Sequence, residues 1–393
     1  MNNVLYMAWR YLRFHWGKSV TLVASISLIL AIPAGLQVVV EQGGEMLTAR
    51  AASTPLLIGA KGSAVDLTLS ALYFRPPRLE RIPYFEVSSF NEKGVNSVIP
   101  LHLRFSVGRH RFVGTTVDYF EFRGLTLAEG RGIARLGECV LGSRVAAALG
   151  VGVGGYVLSS SGSAFDVAGS FPLKMPVVGI LAPHGTADDD AVFGDVKTAW
   201  IIEGLAHGHR DITQVNPDDG GVLRREEDNV VANSSVLSYV EITDENIDSF
   251  HFHGDPASFP IDAAIVVPRD LKEGILLRGR YQESDRQVQL LVPSEIIDEL
   301  LATMFSIRDY VVLASGGVGL AALATAILVF VLSIRLRRRE IETIRRIGGA
   351  RQRLNAILAA EILLVLVAGT LFAVCSTLLL NRSAGVLIRL VAG

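Results

Sequence analysis

Three stretches of the chain are almost free of charge. Residues 19–40 (22 positions) and 311–334 (24 positions) hold no Asp, Glu, Lys or Arg, and residues 354–380 (27 positions) hold only Glu361. A helix needs about 20 apolar residues to cross a hydrocarbon layer about 30 Å thick. In lipid the backbone must satisfy its own hydrogen bonds, which selects helices over open strands. The pattern therefore predicts three transmembrane helices. A signal-peptide apolar region runs only about 7–15 residues, so 19–40 reads as an uncleaved anchor. Pro33 is predicted to kink it.

Between the first two apolar stretches the period shortens. Residues 97–107, 111–116, 155–158, 177–181, 198–202 and 263–267 read as strands, and Ser143–Leu149 and 293–305 as helices. The run Asn216-Pro217-Asp218-Asp219-Gly220-Gly221 reads as a turn. Residues 41–52 and 293–309 keep a helical pattern beside the apolar stretches, which predicts two helical stalks. The expected fold is a membrane protein of three transmembrane α-helices with a large α/β domain on helical stalks. Its segments are a lead-in helix (1–18), span 1 (19–40), the α/β domain with stalks (41–310), span 2 (311–334), a connecting segment (335–353), span 3 (354–380) and a tail (381–393).

Charge then orients these segments. Arg10, Arg13 and Lys18 precede span 1, and eight arginines with only Glu340 and Glu342 lie in 335–353. The excess of basic residues predicts that both regions are cytoplasmic. Of the chain's 37 basic and 39 acidic residues, 13 basic and 3 acidic lie in 1–40 and 311–393. That leaves 24 basic and 36 acidic in 41–310, so the net charge of −2 conceals a basic membrane part and an acidic exterior domain. Half the residues are hydrophobic, which excludes intrinsic disorder. The balance also argues against a nucleic-acid partner. Cys139 and Cys375 fall in different compartments, so no disulfide framework is expected.

Candidate chemistry is sparse. Gly17-Lys18-Ser19 lacks the earlier glycine of a phosphate loop, since position 12 is Leu12. Gly150-Val151-Gly152-Val153-Gly154-Gly155 precedes a strand where a dinucleotide fingerprint must follow one, so it reads as a turn. There is no catalytic set of Ser, His and acid or of Cys and His, and the chain reads as non-enzymatic. Glu361 inside span 3 is costly to leave in lipid and reads as a paired or interfacial group. His207-Gly208-His209 and His251-Phe252-His253 hold four of the eight histidines. On strands, residues i and i+2 share a face, so each pair can offer two imidazoles to one ion such as zinc or copper. Asp211, Asp255 and Asp188-Asp189-Asp190 are acidic neighbours in sequence.

Four segments are similar to the FtsX/MacB superfamily of ABC-transporter permeases, the type VII systems. Ala8-Trp9-Arg10-Tyr11-Leu12-Arg13 resembles their amphipathic lead-in helix. The stretch from Phe122-Arg123-Gly124-Leu125 through Gly130-Arg131-Gly132 to Glu138-Cys139-Val140-Leu141-Gly142-Ser143-Arg144 resembles their periplasmic head, as does Met175-Pro176-Val177-Val178-Gly179-Ile180-Leu181. The segment Arg337 to Arg351 resembles their cytoplasmic coupling element. The resemblance implies a bacterial inner-membrane permease with a cytoplasmic N-terminus and a MacB-like periplasmic domain. It binds no cofactor itself and draws on ATP bound by a separate ABC ATPase subunit. Its coupling residues would be Arg339, Glu340, Ile344, Arg345, Arg346, Gly348, Gly349 and Arg351, with the glycines permitting a tight turn. Implied partners are a second permease copy (a homodimer), a periplasmic binding or adaptor protein, and membrane lipid.

Family members have a fourth span, and the 13 residues after Leu380 are too few to make one. The expectation is a chain shorter than its family or a three-span variant. Ile58-Gly59-Ala60-Lys61-Gly62-Ser63, followed by Leu69-Ser70-Ala71-Leu72-Tyr73, also looks like a proteobacterial branch with members associated with zinc uptake. That likeness implies a metal role for His207, His209, His251 and His253. The alternatives to an extruding or force-transmitting permease are a zinc-uptake permease and an anchored sensor or scaffold without an ATPase.

Overall fold

The computed structural model describes residues 2–392 except 89, 91–94, 161–171, 209–221, 227–228, 233–239, 283–286, 337–341, 343–345 and 347–350. The chain divides into two compact units, Met1–Ala49 with Asp298–Gly393, and Arg50–Ile297.

The first unit is helical. It contains Asn2–Phe14, most of Trp16–Ala52, most of Pro293–Leu336, and Arg351–Ala392. Among the described residues, Trp16–Ala52 and Asn355–Arg382 are long and apolar enough to cross a membrane. The expected span 311–334 lies inside the helix Pro293–Leu336, where the shorter apolar run Val312–Ala321 is described. Small residues mark the helix crossings. A Cβ at Gly369 would stand 2.8 Å from Ile26, and one at Gly319 would stand 3.1 Å from Ile29. Without a hydrophobic gradient between lipid and protein, such close backbone approach is a main source of helix association. Gln42 Nε2 donates to the Asn381 side chain at 2.5 Å and to its carbonyl at 3.0 Å. Glu361 is only 4% exposed, so its side chain is packed against protein.

The second unit is the α/β head. One antiparallel sheet has the order Val288–Leu291, Leu56–Ala60, Ala263–Pro268, Val95–Leu101. Its first two strands pair Leu57 with Leu291 and Ala60 with Val288. The head's first and last strands are thus neighbours, and helix adjoins each of them: Trp16–Ala52 ends just before one, and Pro293–Leu336 begins just after the other. The second sheet is mixed, in the order Ser106–Val107, His110–Thr115, Ala191–Asp195, Cys139–Leu141, Lys174–Leu181, Leu127–Gly130, with Tyr156–Leu158 also pairing Lys174–Leu181. Lys174–Leu181 alternates half-buried and buried positions along its whole length, the period-2 signature of a strand with one face on a core. Leu57, Ile99, Leu101 and Ile265 of the first sheet pack with Val113, Val140 and Phe193 of the second in one cluster.

Two expected strands take other forms. Residues 97–107 are not one strand but two, Val95–Leu101 and Ser106–Val107, assigned to different sheets. The corner between them is held by Asp262, which accepts from Leu103 N at 2.7 Å and Arg104 Nε at 2.6 Å. Residues 198–202 lie in the helix Val196–Ile202. Asp195 caps it by accepting from Lys197 N at 2.8 Å, and Trp200 and Ile202 enter two different cores. The β-branched residues suggested a strand, but the cap and burial on several faces override propensity. Ser143–Leu149 forms as expected and stops at Gly150, whose φ of +65° suits glycine. The run through Gly155 is a turn; Gly17-Lys18-Ser19 lies within helix. Both cysteines are free, in different units. The expected turn 216–221 lies outside the described residues.

Replacing Asp195 with Ala is expected to cost about 1 kcal/mol of head stability, the usual loss for an N-cap. Unfolding followed through Trp200 fluorescence, in a chain whose Trp9 and Trp16 are replaced by Phe, measures it.

Candidate functional site

Two side-chain constellations in the head bear on function. The first surrounds Arg50, in the last turn of Trp16–Ala52 and only 8% exposed. Its Nη1 donates to Asp188 Oδ2 at 2.5 Å, and its Nη2 donates to Asp188 Oδ1 and Tyr119 Oη at 2.9 Å each. Its Nε donates to the carbonyl of Leu72. Tyr119 Oη and Thr186 Oγ1 donate to the same carboxylate at 2.7 and 2.8 Å. The guanidinium carbon of Arg50 lies over the Phe74 ring, 5.5 Å from the ring centroid. Arg123 reaches Ser53 Oγ at 3.1 Å, adding a contact just beyond that turn. The end of a long apolar helix is thereby fixed to a helix (Asp118–Arg123) and a 3₁₀ turn (Ala187–Asp190) far away in sequence.

The electrostatics favour the charged pair. Burial alone opposes ionisation of Asp188, but the Arg50 charge and the hydrogen bonds from Arg50, Tyr119 and Thr186 hold its carboxyl down to about 2. Burial would likewise loosen the Arg50 proton, and the neighbouring Tyr119 and Asp188 reverse that, keeping the guanidinium charged. Burial also raises the Tyr119 hydroxyl, so it remains a donor.

The second constellation comprises histidines. Ala206–Gly208 and Phe250–Phe252 pair antiparallel, with His207 directly opposite His251. Ala206 and Gly208 are buried while His207 is half-buried; His251 and His253 are exposed. His207 and His253 approach Nε2 to Nε2 at 3.3 Å, and ring nitrogens of His207, His251 and His253 all lie within 4.8 Å of one another. His209 and Asp211 lie outside the described residues. The remaining acidic neighbours are engaged elsewhere. Asp188 pairs with Arg50, and Asp189 accepts from His184 N and Gly185 N at 3.0 and 2.8 Å. Asp190 binds Arg144, and Asp255 caps Ala257 N.

The sequence matches the family described as MacB-like periplasmic core domain over residues 22–233, more than half the chain. This chain belongs to that family. It is accordingly a member of the MacB/FtsX-like ABC-transporter permease superfamily. Among solved structures it is similar to the periplasmic region of MacB from Actinobacillus actinomycetemcomitans, at 12% identity and TM-score 0.35, over 65% of this chain and 97% of that one. It is also similar to the extracellular domain of the noncanonic ABC-type transporter YknZ from Gram-positive bacteria, at 9% identity and TM-score 0.32, over 60% and 98%. No curated protein matches. The match ends at 233, so His207 lies within it and His251 and His253 beyond it. Of the expected coupling residues, Arg346 and Arg351 are in the described backbone, while Arg339, Glu340, Ile344, Arg345, Gly348 and Gly349 are outside it.

Sequence reading missed Arg50 and Tyr119, and it grouped Asp188 with the histidines although the structure pairs it with Arg50. The ion-paired residues stand 138 positions apart, and neither carries a local motif. Replacing Asp188 with Ala strands a buried guanidinium and is expected to cost about 3–5 kcal/mol; changing both partners to apolar residues of similar size is expected to restore most of it. Thermal unfolding of the three chains, read by Trp200 fluorescence, measures the difference.

A pH dependence follows as well. The unfolded carboxyl takes its proton near pH 4, and the folded one resists until about pH 2. Acid therefore favours the unfolded chain in that window. The contribution, about 2 kcal/mol, is complete above about pH 5 and is lost as pH falls from 4 to 2. In Asp188→Asn that part of the pH slope is expected to vanish.

Proposed function

We propose that this chain is the membrane permease subunit of an ABC complex, coupling ATP hydrolysis on a partner subunit to movement of a periplasmic head. The observation carrying this reading is the Arg50–Asp188 anchor. A helix long and apolar enough to span a membrane runs unbroken to Ala52, and its last turn is tied into the head's interior. Arg50, at the end of that helix, is thus held by side chains of the head itself. Family membership supports the same reading, as does the continuous helix Pro293–Leu336 at the head's other end.

In this reading the N-terminus and 335–353 are cytoplasmic, 41–310 is periplasmic, and 19–40, 311–334 and 354–380 span the inner membrane. The ATPase docks on Arg339, Glu340, Ile344, Arg345, Arg346, Gly348, Gly349 and Arg351. Their excess charge suits an acidic groove, and Gly348-Gly349 permits a turn that bulky residues would block. Two permease copies pair with two ATPase subunits, and a periplasmic binding or adaptor protein engages the head. The cargo class is a lipoprotein, peptide or drug extruded from the periplasmic side, or an exterior enzyme activated by the head's motion. The chain contributes no catalysis.

Co-expression of the full chain with the ABC ATPase subunits of the same organism should give a stable complex with one of them from detergent. Replacing Gly348 and Gly349 with Trp should lower ATPase recovery by about tenfold, equivalent to roughly 1.4 kcal/mol of binding, while the permease yield is unchanged. Undiminished recovery would sink the docking assignment. Protease added outside spheroplasts should cut within 41–310 and spare 335–353; the reverse pattern overturns the topology.

A further inference from the structure

We infer that His207, His251 and His253 form a zinc-binding site on the head's paired strands Ala206–Gly208 and Phe250–Phe252. The inference stands on the geometry of these strands and does not depend on the permease reading. His251 and His253 also lie beyond the residues that match the family.

The first argument is spacing. Imidazole nitrogens bind zinc at about 2.0–2.1 Å, and in a tetrahedral site two of them stand about 3.3–3.4 Å apart. His207 Nε2 and His253 Nε2 are 3.3 Å apart. The ring nitrogens of all three residues fall within 4.8 Å of one another, so His251 needs only a small side-chain rotation to complete the triangle. Its exposed position leaves room for that.

The second argument is orientation. His251 Nδ1 lies 3.1 Å from the carbonyl of Ser249, which can only accept. That contact puts the proton on Nδ1 and the lone pair on Nε2, the outer-shell arrangement that fixes a ligating histidine's tautomer. In the present His207–His253 contact one Nε2 donates to the other. Metal binding moves that proton to the same ring's Nδ1 through solvent, so both Nε2 atoms can face the ion in place of the hydrogen bond.

The third argument is rigidity. Between the histidines of the second strand, Phe252 packs against Trp200 and Phe259, with ring centroids 6.4 and 5.9 Å away. His253 N donates to the Leu205 carbonyl at 2.9 Å, locking the two strands in register. A Cβ on Gly208 would meet the Phe250 ring at 2.7 Å, so the strands approach closely only because this position is glycine. The imidazoles project from a platform whose opposite face is core. Three nitrogen ligands leave a fourth position for water or an incoming group, the pattern of an exchangeable site and not a closed structural one. Imidazole suits zinc and copper alike, and the tetrahedral spacing selects zinc. Since His207 and His253 are 46 positions apart, bound zinc would staple two distant parts of the chain.

The test is zinc titration of the metal-stripped full-length chain in detergent, followed by calorimetry. One zinc per chain is expected, with a rise of about 5 °C in melting temperature at saturation. His207→Ala, His251→Ala and His253→Ala should each weaken binding at least about tenfold, since even loss of an outer-shell partner costs 10–100-fold. His184→Ala should leave it unchanged. Substituted cobalt should give the intense visible bands of tetrahedral coordination. Metal-free variants should melt with the parent; His→Gln replaces any that does not. No zinc uptake by the parent chain, full affinity in the His251/His253 double variant, copper uptake without zinc, or an octahedral cobalt spectrum would each overturn the assignment.

Discussion

A buried guanidinium and carboxylate set the terms for the rest of this molecule. Arg50 and Asp188 are almost fully withdrawn from water, and each would be costly there alone. Together with Tyr119, Thr186 and the Leu72 carbonyl they form one connected hydrogen-bonding set. Such a set tolerates little displacement, because losing one member exposes another as an unpaired buried charge. Arg50 and the residues that follow it in the last turn of its helix belong to the head. The close approach of Gly142, whose Cβ would stand 2.4 Å from the carbonyls of Asp188 and Asp189, shows how tightly the carboxylate's turn is seated.

Much of the architecture was legible in the sequence, for reasons visible in particular residues. Ser143–Leu149 was readable because its apolar positions recur at helical spacing and Gly150 closes it. The strands within 111–116, 155–158, 177–181 and 263–267 were readable because β-branched residues and turn glycines bound them. The helix Val196–Ile202 was misread because its propensity is strand-like and its cap, Asp195, is a single residue. The corner at Leu103 was invisible because the carboxylate holding it, Asp262, comes 159 positions later.

The sites divide along the same line. Two His-X-His pairs are a local pattern, so their candidacy could be read directly. Their meeting could not, because it depends on the pairing of Ala206 with Phe252 and Gly208 with Phe250. The Asp188-Asp189-Asp190 run invited a metal reading, yet its members serve Arg50, Arg144 and the amides of residues 184 and 185. Charge that looks available in sequence is often already spoken for by a distant cation.

The pairing of Leu57 with Leu291 has a further meaning. Where the chain enters the head and where it leaves are adjacent rungs of one ladder, so the head is an insert whose two seams lie side by side. Inserts of that kind can be exchanged, enlarged or excised between their seams without re-threading what flanks them. Evolution can thus fit new heads to the same pair of helices, and an engineer can graft at Leu56 and Leu291 by the same logic.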